Sequence, residues 1–330
     1  MTAENGASVL TEERERDADW LTGLLPLLLI SLIYYRLSAA VLELLAVGGY
    51  LMASALIARL DRRQPQRLSF ARGAVGGLLL VFCLPAQAPF WLAALGGGVA
   101  GVLAVVPEWL GRRFPRVAAY TQVQPSLAAF LLLRCVFPAL AGSGYSLPAQ
   151  WSGIDTLSSA TPLAAFSGTE LHIARWELLL GVQAGAIGET CTVAILLAAV
   201  YLLLRRRLRL IAPACMLATV SLLSLWLWQA PFYALLAGGV ALTALLLADR
   251  TTVPQAPLDQ VLLGVAAGGV TVLIRRCTGW AEGAAVGLVF AQILRPALPP
   301  FYRFCRWAVH GCAAFAAAWR EKIAKKKNNS

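Results

Sequence analysis

The residues best suited to chemistry lie at Asp155-Thr156-Leu157-Ser158-Ser159-Ala160-Thr161-Pro162-Leu163, a short polar stretch in an otherwise apolar chain. Pro162 biases Thr161 towards extended backbone and away from helix. Ser158, Ser159 and Ala160 are small, so another protein can grip this peptide and reach the Thr161 hydroxyl. The surrounding loop, Gly142 to His172, carries no Lys or Arg. Together these features mark a modification site. A second group of candidates is ionisable and sits within apolar runs: Glu189, Arg134 and, with less weight, Glu43. A charge in hydrocarbon costs several kcal/mol, so such a residue is a functional candidate by default. Arg134 and Glu189 are of opposite sign and are candidates to pair. One face of the helix bearing Glu43 is open to another protein of a complex. Gly181, Gly185 and Gly188 share one helix face, which lets a helix or a flat ligand approach closely.

The composition says what surrounds these residues. The chain is 59% hydrophobic and 14% charged, with a mean hydropathy of +0.69. Soluble domains carry about 25% charged residues, so a bilayer is the expected solvent here. The net charge of +11 does not point to nucleic acid. The basic residues fall in short clusters between apolar runs, as the positive-inside rule expects. Seven cysteines show no C-x-x-C pairing, and most lie in apolar runs where a thiol acts as a small hydrophobe. No metal or iron–sulfur role is expected of them. His172 and His310 stand alone, and no P-loop is present. The chain is not expected to bind NADH or hydrolyse ATP by itself. Residues 1–19 are polar and acidic in balance and lack the basic start of a signal peptide, so the first apolar run is expected to remain as a membrane helix.

The expected architecture is all-α and polytopic, with about ten transmembrane helices. Each span needs about 20 apolar residues, with slack for tilt. The spans centre on Leu21–Tyr35, Ala39–Ala58, Gly73–Leu84, Trp91–Val106, Pro125–Leu140, Glu177–Leu204, Leu210–Trp228, Phe232–Ala248, Gln260–Ile274 and Gly283–Leu298. The third is short and reads as a tilted or re-entrant piece. The organisation follows: a polar cytoplasmic segment 1–19, a helical half 20–141, an extracytoplasmic loop 142–176, a second half 177–298 and a basic tail 299–330. One set of loops holds Arg59, Arg62, Arg63, Arg67, Arg72, Arg112, Arg113, Arg116, Arg205, Arg206, Arg207, Arg209 and Arg250, followed by the basic tail. The alternate set holds little beyond Arg36, Arg175, Arg275 and Arg276. This bias places both termini in the cytoplasm and Thr161 outside. The 13-residue apolar stretch Trp307–Trp319 is too short to span and fits a helix lying on the inner surface against membrane lipid. Gln87-Ala88-Pro89-Phe90-Trp91 and Gln229-Ala230-Pro231-Phe232-Tyr233 echo each other; Pro with an interfacial aromatic is also ordinary at membrane turns.

The spacing Asp155-x-x-Ser158-x-Ala160-Thr161 resembles the acceptor motif for covalent FMN attachment, in which a flavin transferase joins the flavin phosphate to the last threonine. With Pro162-Leu163 following, in a polytopic chain, it looks like the RnfD subunit of Rnf-type ion-translocating electron transport complexes. That subunit is related to the NqrB subunit of the sodium-translocating NADH:quinone reductase. The run Gly185-Ala-Ile-Gly188-Glu189-Thr190 resembles a segment of the same family. Ala248–Pro254 and Ile274–Gly283 match two further family turns with substitutions at Arg250, Trp280, Ala281 and Glu282. Thr121-Gln122-Val123-Gln124-Pro125-Ser126 departs from the family's Asn-Pro-Phe-Asn-Pro-Ala stretch, which bears on any second flavin site.

The resemblance implies two five-helix halves in inverted orientation, similar to urea transporters, in a bacterial inner membrane. It implies FMN held by a phosphoester to Thr161, with Asp155, Ser158 and Ala160 read by the transferase. Arg175 is the nearest basic residue in sequence to the tethered phosphate, and Trp176 is among the aromatic residues within reach of the ring. Arg134 then has a flavin as an alternative partner to Glu189. A second, non-covalent flavin (riboflavin) is a further expectation. The partners implied are the other subunits of an Rnf-type complex, above all the extracytoplasmic FMN-carrying subunit, together with the transferase. Two other readings remain open on the residues alone: a flavinylated conduit outside an Rnf complex, and a non-redox channel on the same scaffold.

Overall fold

The structure, a computed structural model, describes residues 2–60, 69–114, 117, 119–141, 179–181, 185–228, 231–236, 239–280 and 282–299. Secondary structure among these residues is helical, with two isolated bridges between turns. Helix α1 runs over Thr2–Gly23 and α2 over Leu25–Leu60. Leu24 donates to the Trp20 carbonyl and accepts from Leu28, so α1 passes into α2 with helical hydrogen bonding across the joint. The acidic N-terminal segment is helical and runs directly into the first apolar stretch.

The 36 residues assigned to α2 are not one straight helix. Arg36 has φ 51 and ψ −130, which no helix accommodates. Ser31 and Glu43 are joined by a side-chain hydrogen bond of 2.5 Å. In a straight helix, residues twelve apart would stand about 18 Å apart, so the chain reverses at Arg36. Two apolar helical segments thus stand on either side of a tight turn.

Helix α3 (Phe70–Cys83) is 14 residues long, about 21 Å, against about 30 Å of hydrocarbon. It stops partway, as its short apolar run implied, and Leu84 continues in extended conformation. Next come α4 (Phe90–Arg113), α5 (Pro125–Val136) and a single turn, α6 (Pro138–Ala141). The second half holds α7 (Thr192–Leu204), α8 (Ile211–Trp228), α9 (Pro231–Leu236), α10 (Val240–Leu247), α11 (Pro257–Thr278) and α12 (Gly283–Leu294). By length and composition, four described stretches are able to cross a membrane: Thr11–Ile57, Phe90–Gly111, Ile211–Trp228 and Pro257–Thr278. Shorter apolar helices accompany them. The expected eighth span is divided into α9 and α10, with Gly239 at φ +70 just before the second piece.

Lipid tails are as apolar as leucine, so helices in a bilayer associate through close packing instead of water exclusion. Both halves use the same device. A Cβ on Gly97 of α4 would overlap the Ala46 carbonyl of α2, and one on Gly101 would lie 2.6 Å from the Tyr50 carbonyl oxygen. In the second half, Gly264 of α11 sits against the Ala212 carbonyl of α8, and Gly268 against that of Met216. Glycines four residues apart thus seat α4 on α2 and α11 on α8. The outward faces are apolar: Leu222, Leu225 and Trp226 of α8, and Leu196, Leu197 and Val200 of α7, are exposed. Such a surface is stable only in lipid or against a partner. The chain is a multi-pass membrane protein.

On the arginine-rich face, the turns after α7 and after α10 pair as an antiparallel bridge between Leu208 and Asp249. Arg209 N donates to Ala248 O (2.7 Å) and Arg250 N to Arg207 O (3.1 Å). These bonds make the loop ends of the second half a fixed surface.

Candidate functional site

The site is built where two interrupted segments meet. The chain after α3 and the chain before α7 both leave helical geometry inside apolar surroundings, and each supplies what the other lacks. Gly188 N donates to Phe82 O (3.0 Å) and Ile187 N to Leu84 O (3.1 Å), with Pro85 bridged to Ala186. Gly188 is held so close that a Cβ would overlap the Phe82 side chain.

This corrects the sixth span. A continuous helix from Glu177, with Gly181, Gly185 and Gly188 on one face, does not form. Gly181 is left-handed at φ +85, and residues 185–191 are turn and bridge until α7 begins at Thr192. A Cβ on Gly181 would lie 2.5 Å from the Thr190 carbonyl oxygen, so the two ends of the segment close on each other. The physical reason lies in the glycines, each about 1 kcal/mol worse than alanine in a helix. Non-helical backbone at membrane depth is tolerated only when protein satisfies it, and the α3 end does so. The α2 hairpin braces both segments: Tyr34 Oη donates to Leu180 O (2.7 Å) and Ser38 Oγ to Ala86 O (2.8 Å).

Glu189 emerges from the middle of this crossing. Its carboxylate lies where a side chain on Gly239 would be, directly before α10. The unpaired N–H groups at a helix start favour an anion. Arg275 and Glu282 are the charged groups that act on it. Arg275, at the end of α11 and 6% exposed, donates from Nη1 to the Ala234 carbonyl in α9 (2.9 Å). One arginine therefore ties α11 to the interrupted α9–α10 pair.

Arg134 does not pair with Glu189. Its Nε lies 3.4 Å from Glu282 Oε1, its guanidinium sits 5.2 Å from the Trp280 ring centroid, and Nη1 donates to the Pro138 carbonyl. The helix end at Phe137–Pro138 turns Arg134 towards the start of α12 instead. Glu43 is internal to the chain, 6% exposed, and accepts the Ser31 hydroxyl. Arg275 and Glu282 were missed as site residues. The signal available was three charges, Arg275, Arg276 and Glu282, on a turn between two apolar helices. Among the described residues, no cluster of His, Cys, Asp and Glu has the arrangement to hold a metal ion. Thr161, Asp155, Ser158, Ala160, Arg175 and Trp176 lie outside the described residues.

On the arginine-rich face, a cavity of about 480 Å³ opens between α1, α3 and the turns at Gln122–Ser126 and Asp249–Thr252. Its walls include Trp20, Tyr50, Gln122, Gln124, Ser126 and Arg295. Ser126 Oγ donates to Gly76 O (2.7 Å), and Gln124 N to Gln292 Oε1 (2.7 Å), so its back wall is hydrogen-bonded. Burial pushes the Asp249 carboxyl above its ordinary range. The Thr251 N–H (3.1 Å) and hydroxyl (2.9 Å) oppose that, as does the Arg16 charge across the mouth.

A model of the NQR2, RnfD, RnfE family matches residues 14–304. The chain belongs to this family. The RnfD subunit of the Na(+)-translocating ferredoxin:NAD(+) oxidoreductase complex of Acetobacterium woodii is 27% identical over 296 residues, covering 87% of each chain. The RnfD subunit of the proton-translocating ferredoxin:NAD(+) oxidoreductase complex of Clostridium ljungdahlii is 26% identical, over 73% of this chain and 75% of its own. The corresponding subunit of the ion-translocating oxidoreductase complex of Salmonella arizonae is 27% identical, over 78% and 84%. The family match spans the crossing segments, the four charged residues and the cavity.

A double-mutant cycle tests the Arg134–Glu282 pair. Arg134→Gln and Glu282→Gln should each destabilise the purified protein by about 3 kcal/mol, because each leaves the opposite charge buried. The double substitution should cost clearly less than the sum, with unfolding followed in detergent. Strict additivity would mean that the two side chains do not interact.

Proposed function

We propose that this chain is the flavin-carrying membrane subunit of an ion-translocating oxidoreductase complex, with FMN joined through its phosphate to the Thr161 hydroxyl. One observation carries this reading. The acceptor sequence Asp155-x-x-Ser158-x-Ala160-Thr161 stands inside the region matched to the family, whose relatives are named as subunits of ferredoxin:NAD(+) oxidoreductase complexes. A flavin carries one or two electrons, and the protein's part is to place the ring and tune it. Tethering prevents loss of the cofactor to the outer medium. Asp155, Ser158 and Ala160 present the peptide to the transferase, Arg175 meets the phosphate and Trp176 lies by the ring.

In this proposal ten spans form two inverted halves, both termini are cytoplasmic and the Thr161 loop is outside. The arginine bias supports that orientation, and the paired glycine contacts of α2 with α4 and of α8 with α11 support a repeat. Glu189, packed against Gly239 and within the field of Arg275, is the coupling carboxylate. The Arg134–Glu282 pair fixes the neighbouring helix ends. The cavity on the arginine-rich face is the proposed place of a second, non-covalent flavin. Its volume lies within the ~300–1,000 Å³ of small-molecule sites, and Trp20, Tyr50 and the polar back wall suit a flat ring with hydrogen-bonding edges. The partners are the other subunits of the complex, the extracytoplasmic FMN-carrying subunit first, and the flavin transferase.

The departure at Gln122–Ser126 favours a second reading, a flavinylated conduit delivering electrons to extracytoplasmic partners outside an Rnf complex. Adjacent genes for iron–sulfur and NADH-binding subunits support the first reading, and their absence supports the second.

Thr161→Ala is expected to abolish the ultraviolet fluorescence of the denatured protein band while the chain still inserts in the membrane. Fluorescence that persists would place the attachment elsewhere. Glu189→Gln is expected to leave flavin loading intact and lower coupled turnover at least about tenfold, a barrier change of about 1.4 kcal/mol. Unchanged coupled turnover would reduce Glu189 to a packing residue.

A further inference from the structure

The N-terminal helix has a role that neither the family nor the flavin reading supplies. One face of α1 carries Glu13, Arg16, Asp17 and Trp20, and these four side chains form a wall of the cavity on the arginine-rich face. Opposite stand Asp249, Thr251, Thr252 and Arg295 from the second half. The other face of α1, with Glu12, Arg14, Glu15 and Ala18, is exposed.

Two sets of ion pairs hold α1 in place, and they come from different halves of the protein. Arg72 of α3 reaches Glu13 Oε2 (3.4 Å) and Asp17 Oδ2 (3.3 Å). Arg205 and Arg207, in the turn after α7, donate to the two oxygens of Asp19 at 2.8 and 2.7 Å. The Asp19 side chain is 6% exposed, whereas that of Arg205 is 53% exposed. The cationic ends of these pairs reach solvent, with Arg205 53%, Arg72 29% and Arg207 21% exposed, so salt weakens them. The attachment is therefore electrostatic and responds to salt.

The joint below α1 is also suited to movement. Leu24 alone stands outside the two helix assignments; helical hydrogen bonds continue across it, and it is flanked by Gly23 and by Pro26, which has no N–H to donate. Glycine and proline at one point are a usual cause of a helix bend.

We propose that α1 is a hinged lid over this cavity, latched by Asp19 to Arg205 and Arg207 and by Glu13 and Asp17 to Arg72. Bending at Gly23–Pro26 lifts one wall and exposes the cavity, and re-forming the pairs closes it. The latch spans both halves, so closure also fastens their arginine-rich ends together. The lid does not depend on what occupies the cavity.

The test uses the full chain in detergent-opened membranes, with Val75→Cys as the reporter. Val75 lines the cavity from α3 and is partly buried. Reaction with a water-soluble maleimide is followed by mass spectrometry of the peptide containing position 75, which separates it from the native cysteines. With the latch intact, labelling should be slow and should quicken several-fold as salt rises from about 0.05 to about 0.5 M. Asp19→Arg should raise the rate about tenfold, and adding Arg205→Asp and Arg207→Asp should return it towards the slow value. A rate indifferent to Asp19→Arg, or one that stays high after the charge swap, would overturn the latch. Where the substituted chains fail to accumulate, the salt series on the unsubstituted latch decides, and a flat series would overturn the proposal.

Discussion

Everything in this molecule depends on two interrupted stretches of backbone satisfying each other at membrane depth. An unpaired peptide group in hydrocarbon costs several kcal/mol, so neither the end of α3 nor the chain before α7 is viable alone. The bonds from Ile187 to Leu84 and from Gly188 to Phe82 remove that penalty for both at once. They also fasten the first half to the second. Because the contact is made by backbone, it requires a residue without a side chain at Gly188, where a Cβ would overlap Phe82. The same crossing sets the direction of Glu189, which leaves it towards Gly239 and the start of α10. Placement of the principal intramembrane carboxylate is thus a consequence of how the backbone is satisfied.

Around that crossing the charges fall into two groups with different physics. Arg134, Arg275, Glu189 and Glu282 are drawn from four separate segments. Arg134 and Glu282 are mostly buried, so removal of one would leave the other without compensation. The pairs at the arginine-rich face join the buried carboxylates of Asp17 and Asp19 to arginines that reach solvent. Asp19 with Arg205 and Arg207, and Glu13 and Asp17 with Arg72, hold a helix without making it immovable. The arrangement gives the protein a rigid centre and an adjustable end. Between them lies the cavity, whose back wall is fixed by Ser126 and Gln124 and whose opposite wall belongs to α1.

Much of this could be read from the amino-acid order, and the failures have identifiable causes. Membrane solvation followed from composition, and the reversal at Arg36 from two apolar runs separated by one charged residue. The short third span was evident because length alone decides whether a helix can cross. The sixth span was misread because glycines at 181, 185 and 188 satisfy two patterns at once. Spaced along a helix they make a smooth face, and off a helix they permit a tight crossing. Only the position of Phe82 distinguishes these, and Phe82 is about a hundred residues away in the chain. Arg134 was recognised as a costly charge, yet its partner could not be found by proximity along the chain, since Glu282 lies beyond α11. Residues 1–19 read only as a polar segment because their charges are acidic in balance. Their role emerges only when Arg72, Arg205 and Arg207 are brought beneath them. The Thr161 motif rests on its spacing in the sequence, and its residues lie outside those the structure describes.

The redox reading stands on the chemistry of one hydroxyl: Thr161 as the point at which a flavin joins a membrane-embedded scaffold of the NQR2, RnfD, RnfE family. Mass spectrometry of the chymotryptic peptide spanning Thr161, from protein co-expressed with a competent flavin transferase, addresses that hydroxyl without intermediaries. The expected result is a mass gain equal to FMN less one water, with fragmentation placing it on Thr161. A peptide of unmodified mass, or a flavin localised to Ser158 or Ser159, would contradict it.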